Sequence, residues 1–153
     1  MLNKQTINKL HDMRLTAMAQ SFLEQMDTSQ FSELSFEDRF GLIVDAEWSR
    51  RKNNHLTRLI KQATLRYPGA CVEDIEYHAD RQLDKSLILR LSTCNYIEEH
   101  RNIVCMGASG AGKTYIACAL GVSACRNLYS TKYLRLPDLL LELSMARAEG
   151  TFK

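Results

Sequence analysis

The strongest constraint on the fold is an eight-residue segment, residues 107–114, that reads Gly-Ala-Ser-Gly-Ala-Gly-Lys-Thr. It matches the pattern G-x-x-x-x-G-K-[ST], in which glycines let the backbone approach an anion and a lysine supplies positive charge. A short apolar run, residues 103–106, precedes the segment, and an apolar stretch of small residues follows at 115–125. The alternative is an ordinary glycine turn with an incidental lysine. Because a strand before and a helix after are what a phosphate-binding loop requires, the flanking segments favour that loop.

Each residue type in this loop has a predicted chemical role. Successive backbone N–H groups form an anion nest at the positive end of the following helix. Lys113 is expected to reach the β- and γ-phosphates of a nucleoside triphosphate, and the Thr114 hydroxyl is expected to ligate Mg²⁺. The predicted ATP-binding residues are Gly107, Ala108, Ser109, Gly110, Ala111, Gly112, Lys113, Thr114 and Tyr115.

Helical periodicity dominates the first part of the chain. Apolar residues recur at spacings of three and four through residues 7–26 and again from Phe36 to Trp48. Ser35 followed by Asp38 forms a capping-box pattern, which predicts a helix that starts at Phe36. Trp48 is expected to be a core residue rather than a base-stacking one.

The middle of the chain is less regular. The long helical segment is expected to kink or break at residues 53–54, both asparagines, and to end near the Tyr-Pro-Gly turn at residues 67–69. A short helix is predicted to begin at Asp84, and another lies around Tyr96.

The spacing of apolar residues along the sequence changes after residue 102. Residues 103–106 and 133–136 are typical of buried parallel strands, residues 115–125 of a helix, and Pro137 of the first position of another helix. This order predicts an α/β fold, an N-terminal helical domain followed by the first part of a parallel-sheet P-loop module. The predicted boundaries are a helical domain at 1–68, a linker with short helices at 69–101, and a partial P-loop domain at 102–153.

A basic segment interrupts a chain whose formal net charge is only +2. Residues 50–66 carry six basic side chains and no acidic one, and a helix through them is basic on one side and apolar on the other. Such a helix is a candidate for contact with DNA phosphates, and the alternative is a solvated helix face. The candidate DNA-binding residues are Arg50, Arg51, Lys52, Arg58, Lys61 and Arg66.

Cysteine usage and hydropathy indicate the compartment. The five cysteines are odd in number and never spaced C-x-x-C, so small buried thiols are more plausible than a disulfide framework or a zinc site. No apolar run is long enough to span a bilayer, and residues 1–6 lack the apolar core of a signal peptide. These features predict a cytoplasmic protein with no membrane partner.

An ATPase of this type also needs an apolar strand that ends in an acidic residue. After Thr114 the acidic residues are Asp138, Glu142 and Glu149, and all three fall within the predicted last helix. The sequence therefore predicts ATP binding without efficient hydrolysis, and no catalytic residue. Only two strands are predicted, against about five in an average sheet, so the chain is interpreted as the front part of a longer ATPase.

Several segments together resemble the IstB family of ATP-binding helper proteins of bacterial insertion-sequence transposition, which is similar to the DnaC helicase loaders. The resemblance covers essentially the whole chain and is carried by residues 34–39 (Leu-Ser-Phe-Glu-Asp-Arg), 44–48 (Val-Asp-Ala-Glu-Trp), 70–75 (Ala-Cys-Val-Glu-Asp-Ile) and 112–120 (Gly-Lys-Thr-Tyr-Ile-Ala-Cys-Ala-Leu).

The resemblance implies a helical domain followed by an AAA+ module that binds ATP with Mg²⁺. It further implies homo-oligomers on DNA and a cognate transposase as partner. The acidic Walker B strand, the sensors and the arginine finger of the family find no counterpart in this sequence. Two alternatives stay open beside this transposition role: a non-catalytic DNA-binding or oligomer-interfering fragment, and a DnaC-like helicase loader.

Overall fold

The computed structural model describes residues 2–78 and 82–151. The chain forms two compact units, Met1–His55 and Leu56–Lys153, whose boundary falls within the third helix. The described residues form α1 (Leu2–Asp12), α2 (Thr16–Asp27), a 3₁₀ turn (Ser29–Phe31), α3 (Phe36–Gln62), α4 (Lys85–Ser92), α5 (Asn95–Glu98), α6 (Lys113–Arg126) and α7 (Leu136–Ala148).

Helix α3 begins where the capping pattern predicts. The Ser35 hydroxyl accepts the Asp38 backbone N–H at 3.2 Å and donates to the Asp38 carboxylate at 2.8 Å. This reciprocal bonding satisfies a backbone donor that the first helical turn otherwise leaves unpaired, so the predicted start at Phe36 is confirmed. The predicted break at residues 53–54 is wrong, because the helix runs through both asparagines to Gln62. Asparagine lowers helix stability by less than about 0.7 kcal/mol per residue, which tertiary packing readily offsets.

In the first unit, a buried carboxylate joins α3 to the start of α2. Glu47 is only 4% exposed, and its carboxylate accepts the backbone N–H groups of Ala17 at 2.9 Å and Met18 at 3.4 Å. The same carboxylate accepts hydrogen bonds from the guanidinium groups of Arg50 at 2.7 Å and Arg51 at 2.9 Å. These bonds, that of Arg50 foremost, hold the pKa of Glu47 at about 2, although burial acts in the opposite direction.

The predicted core position of Trp48 is wrong, since its side chain is 60% exposed. The buried side chains of this part of α3 are Ile43 and Glu47, four residues apart. At 3.6 residues per turn, Trp48 lies five residues, and about 140°, beyond Ile43 around the helix. Trp48 is also about 100° from Glu47, its neighbour in the chain, so its side chain lies outside the buried stripe.

The second unit packs around α6, which is buried along most of its length. Ile88 of α4, Leu59 of α3 and Ala63, the residue after α3, belong to the same hydrophobic core. The predicted helix from Asp84 is confirmed as α4, whose N-cap is Asp84: its carboxylate accepts the backbone N–H groups of Ser86 and Leu87. The predicted helix at 115–125 is confirmed as α6.

The predicted α/β fold is wrong for the part of the chain that the structure describes, which is helical and contains no strand. Residues 103–106 belong to no helix or strand and are exposed: Val104 is 77% and Met106 is 88% exposed. The second predicted strand, residues 133–136, overlaps a helix, because its last residue, Leu136, is the first residue of α7. A strand is stabilised by hydrogen bonds to a neighbouring strand and by burial of its side chains. Neither run has a neighbouring strand among the described residues, and residues 103–106 are not buried either.

Three of the five thiols, those of Cys94, Cys118 and Cys125, are buried, whereas Cys105 is exposed and Cys71 is half-buried. Residues 2–78 and 82–151 contain no helix long and apolar enough to cross a membrane. Within these ranges no group of three or more histidine, cysteine, aspartate or glutamate side chains is placed to hold a metal ion.

Candidate nucleotide-binding site

The glycine-rich loop adopts the backbone conformation that its sequence predicts. Gly110 and Gly112 have φ angles of +80° and +83°, in the left-handed region where a side chain is strained. Gly112 is the N-cap of α6, so the loop leads directly into the first helical turn. The positive end of the helix dipole and the backbone N–H groups of that turn are thereby presented on the loop.

Lys113 is the first residue of α6, and its side chain folds back over the loop. The Nζ atom donates to the carbonyl oxygens of Gly107 at 2.8 Å and Ala108 at 2.5 Å. Two backbone carbonyls therefore position the ammonium group at the loop. Thr114 and Tyr115, the next two residues, are half-buried in the first turn of the helix.

Two open pockets flank the loop and share Gly110, Gly112 and Tyr115 in their walls. The first, of about 640 Å³, is lined also by Arg66, Tyr67, Ser109, Lys113 and Thr114. The second, of about 440 Å³, is lined also by Asp74, Ile75, Glu76, Ala111 and Ile116. Among the described residues, the first pocket has two cations and no carboxylate in its wall, and the second has two carboxylates and no cation.

All nine predicted ATP-site residues thus lie at or next to one loop, and eight of them, Gly107 to Thr114, form the loop itself. Sequence analysis did not assign Arg66, Tyr67 and Glu76 to this site. They come from segments more than 30 residues earlier in the chain, so no local spacing links them to the loop. The one available signal is the Tyr-Pro-Gly turn at residues 67–69, which predicts a change of chain direction five residues after α3 ends.

Two of the candidate DNA-binding residues in the first unit form ion pairs with a buried carboxylate of the same unit. Arg50 and Arg51 both bind Glu47, and Arg50 also donates to the backbone carbonyl of Arg14 at 3.2 Å. Lys52 lies over the exposed Trp48 ring, with its Nζ atom 4.8 Å from the ring centroid. The Glu47 carboxylate therefore neutralises part of the positive charge that the sequence places here.

The remaining candidates lie in the second unit. Arg58 and Lys61 are exposed and lie three residues apart on α3, and neither forms an ion pair with a residue that the structure describes. Residues at this spacing are neighbours on a helix surface. Arg66, in contrast, lines the pocket at the glycine-rich loop.

Comparison with known proteins agrees with the loop geometry. The family model described as IstB-like ATP binding protein matches residues 8–153. The chain belongs to this family. One relative, named for ATP binding and for insertion sequence IS1162 of Pseudomonas fluorescens, is 42% identical over 152 residues, which are 99% of this chain and 66% of that protein.

Two further relatives come from Sinorhizobium fredii strain NBRC 101917 / NGR234, and both are named as insertion-sequence ATP-binding proteins. The protein y4pL is 38% identical over 99% of this chain and 62% of its own length. The protein y4uH is 36% identical over 99% of this chain and 60% of its own length. The chain therefore spans between 60% and 66% of the length of the three curated relatives.

Proposed function

We propose that the chain binds ATP together with Mg²⁺ at residues 107–114. The observation that carries this proposal is the position of Lys113, whose ammonium group lies over a glycine loop at the start of α6. The adjoining pocket of about 640 Å³ is lined by cations and is large enough for a triphosphate chain. The names of the relatives, which refer to ATP binding, support the same ligand.

The residues present suit each part of this ligand. Backbone N–H groups of the loop and of the first turn of α6 donate to phosphate oxygens, and Lys113 adds a positive charge. The hydroxyl of Thr114 is an oxygen donor of the kind that Mg²⁺ prefers, and Mg²⁺ usually combines few protein ligands with phosphates and water. When bound, Mg²⁺ would neutralise part of the phosphate charge.

Replacing Thr114 by valine tests the proposed metal ligand. Valine keeps the side-chain shape and removes the hydroxyl, so we expect ATP affinity in Mg²⁺ to fall about tenfold, the loss of one charge-assisted interaction. With excess EDTA, wild type and Thr114→Val are expected to bind ATP equally. Titration of a fluorescent ATP analogue under both conditions measures this. An equal loss with and without Mg²⁺ contradicts a role in metal binding.

We further propose that the chain is a helper of insertion-sequence transposition that works in the cytoplasm. In this proposal it binds DNA, forms homo-oligomers and acts with a cognate transposase. The relatives are named for insertion sequences, which favours transposition over helicase loading. For DNA contact, the exposed Arg58 and Lys61 of α3 are the strongest candidates in the basic segment, because no carboxylate that the structure describes neutralises them.

Salt dependence tests this DNA contact. Replacing Arg58 and Lys61 together by glutamine keeps helix propensity and removes two charges. The slope of the logarithm of the duplex-binding constant against the logarithm of the salt concentration is therefore expected to decrease in magnitude by up to about 1.8 units. The matched control replaces the exposed Lys4 and Lys9 of α1 by glutamine and should leave the slope unchanged. Fluorescence anisotropy with two unrelated duplexes measures both. An unchanged slope in the Arg58/Lys61 variant means that these side chains are only solvated surface.

A further inference from the structure

The chain that follows α3 brings a second cation to the glycine-rich loop. Arg66 comes four residues after the end of the helix at Gln62, and it lines the same pocket as Lys113 and Thr114. We propose that Arg66 binds the phosphate chain of the nucleotide held by that loop and is not a DNA contact. This inference rests on the proposed ATP binding.

Contacts on the N-terminal side fix the position of Arg66. Leu65 is 8% exposed and packs so closely on α6 that a methyl group added to Gly121 would lie 3.0 Å from Leu65 Cδ2. One residue earlier, the Thr64 hydroxyl donates to the Tyr133 carbonyl at 3.4 Å, and the Tyr133 N–H donates to the Ala63 carbonyl at 2.8 Å. Residues 63–65 are therefore held by side-chain packing and by backbone hydrogen bonds.

Contacts on the C-terminal side join the same turn to the start of α6. The rings of Tyr67 and Tyr115 lie 6.2 Å apart, and the Tyr115 hydroxyl accepts the backbone N–H of Cys71 at 3.4 Å. Because Tyr115 follows Thr114 directly, the turn that carries Arg66 is attached to the helix that carries the loop. Arg66 thus reaches the pocket from an anchored segment.

The charge around Arg66 suits an anion. Its guanidinium lies over the Tyr67 ring, 5.6 Å from the centroid, and no carboxylate within residues 2–78 and 82–151 forms an ion pair with it. The described part of the pocket wall adds the Lys113 cation and no acidic residue. Two cations that face one open pocket repel each other, and a polyanion between them converts this repulsion into attraction. A triphosphate chain is such a polyanion.

The test replaces Arg66 by glutamine in the full chain and measures competition against a fluorescent ATP analogue, with ATP and with inorganic tripolyphosphate as competitors. The loss of one charge-assisted contact is expected to weaken both competitors about tenfold. The control is Arg147→Gln, the same change at an exposed arginine of α7 that lines neither pocket at the loop, which should leave both affinities unchanged. Arg66→Lys keeps the charge and is expected to restore part of the affinity, which a purely structural loss would not allow.

The results distinguish this inference from the proposed function. If Arg66→Gln binds ATP like wild type while Lys113→Ala does not bind it, Arg66 is not a phosphate contact and the ATP site stands. If wild type and Lys113→Ala bind ATP alike, the proposed ATP site fails and the inference fails with it. A loss of duplex DNA affinity in Arg66→Gln, with ATP affinity retained, returns Arg66 to the DNA-binding residues and also overturns the inference.

Discussion

Replacing Lys113 by alanine is expected to abolish ATP binding by this chain. The substitution removes the ammonium group that the carbonyls of Gly107 and Ala108 hold over the loop. Hydrogen bonds to charged groups contribute about 1.5–3 kcal/mol each, so the loss of a cation that faces two phosphates corresponds to roughly 100-fold or more in affinity. Titration of a fluorescent ATP analogue into wild type and variant measures the difference.

A matched control distinguishes the loss of Lys113 at the loop from an equal change in the net charge of the chain. Lys132 is exposed and pairs with Glu142 at 3.0 Å, and it lines neither of the two pockets at the loop. Lys132→Ala therefore makes the same change in net charge and should leave ATP affinity within a factor of about two. Circular dichroism of each variant verifies that the helices persist. Equal affinity in wild type and Lys113→Ala contradicts the assignment of ATP to this loop.

The parts of the fold that sequence analysis predicted are those governed by contacts within a few residues. Ser35 and Asp38 bind each other across the first turn of α3, and Asp84 binds backbone groups two and three residues ahead. The glycine-rich loop is of the same kind, because the left-handed angles of Gly110 and Gly112 depend on those residues themselves. Such local interactions form independently of how the rest of the chain packs.

The predictions that failed concern contacts between distant segments. The apolar run at residues 103–106 predicts a strand only if another strand lies beside it, and no strand lies beside it in the part of the chain that the structure describes. Trp48 shows a related limit of sequence analysis. The spacing of apolar residues predicts that a helix has an apolar stripe, but it does not show which of two neighbouring stripes is buried. The place of Arg66 beside a loop about 40 residues later depends on the packing of Leu65 on α6, which no spacing in the sequence encodes.

Replacing Glu47 by glutamine is expected to destabilise the first unit by about 3 kcal/mol at neutral pH. The carboxylate is buried, caps the start of α2 and binds two arginines, so its pKa falls from 4.5 to about 2 in the folded chain. The unfolded state then binds the proton more tightly than the folded one. The stabilisation is therefore fully present above about pH 5 and is lost as the pH falls towards 2. An amide at this position cannot supply it.

The measurement follows urea unfolding by the fluorescence of Trp48, the single tryptophan of the chain, which lies next to Glu47 on α3. Asp45→Asn is the matched control: the same change at an exposed carboxylate two residues away is expected to alter stability by less than about 0.5 kcal/mol. The difference between wild type and Glu47→Gln should shrink steadily from pH 5 to pH 2, because wild type itself loses the charge over this interval. An ionised group with a lowered pKa must lose its contribution to stability on protonation. A stability difference between wild type and Glu47→Gln that stays constant over this interval would therefore show that the carboxylate acts through its shape and hydrogen bonds alone.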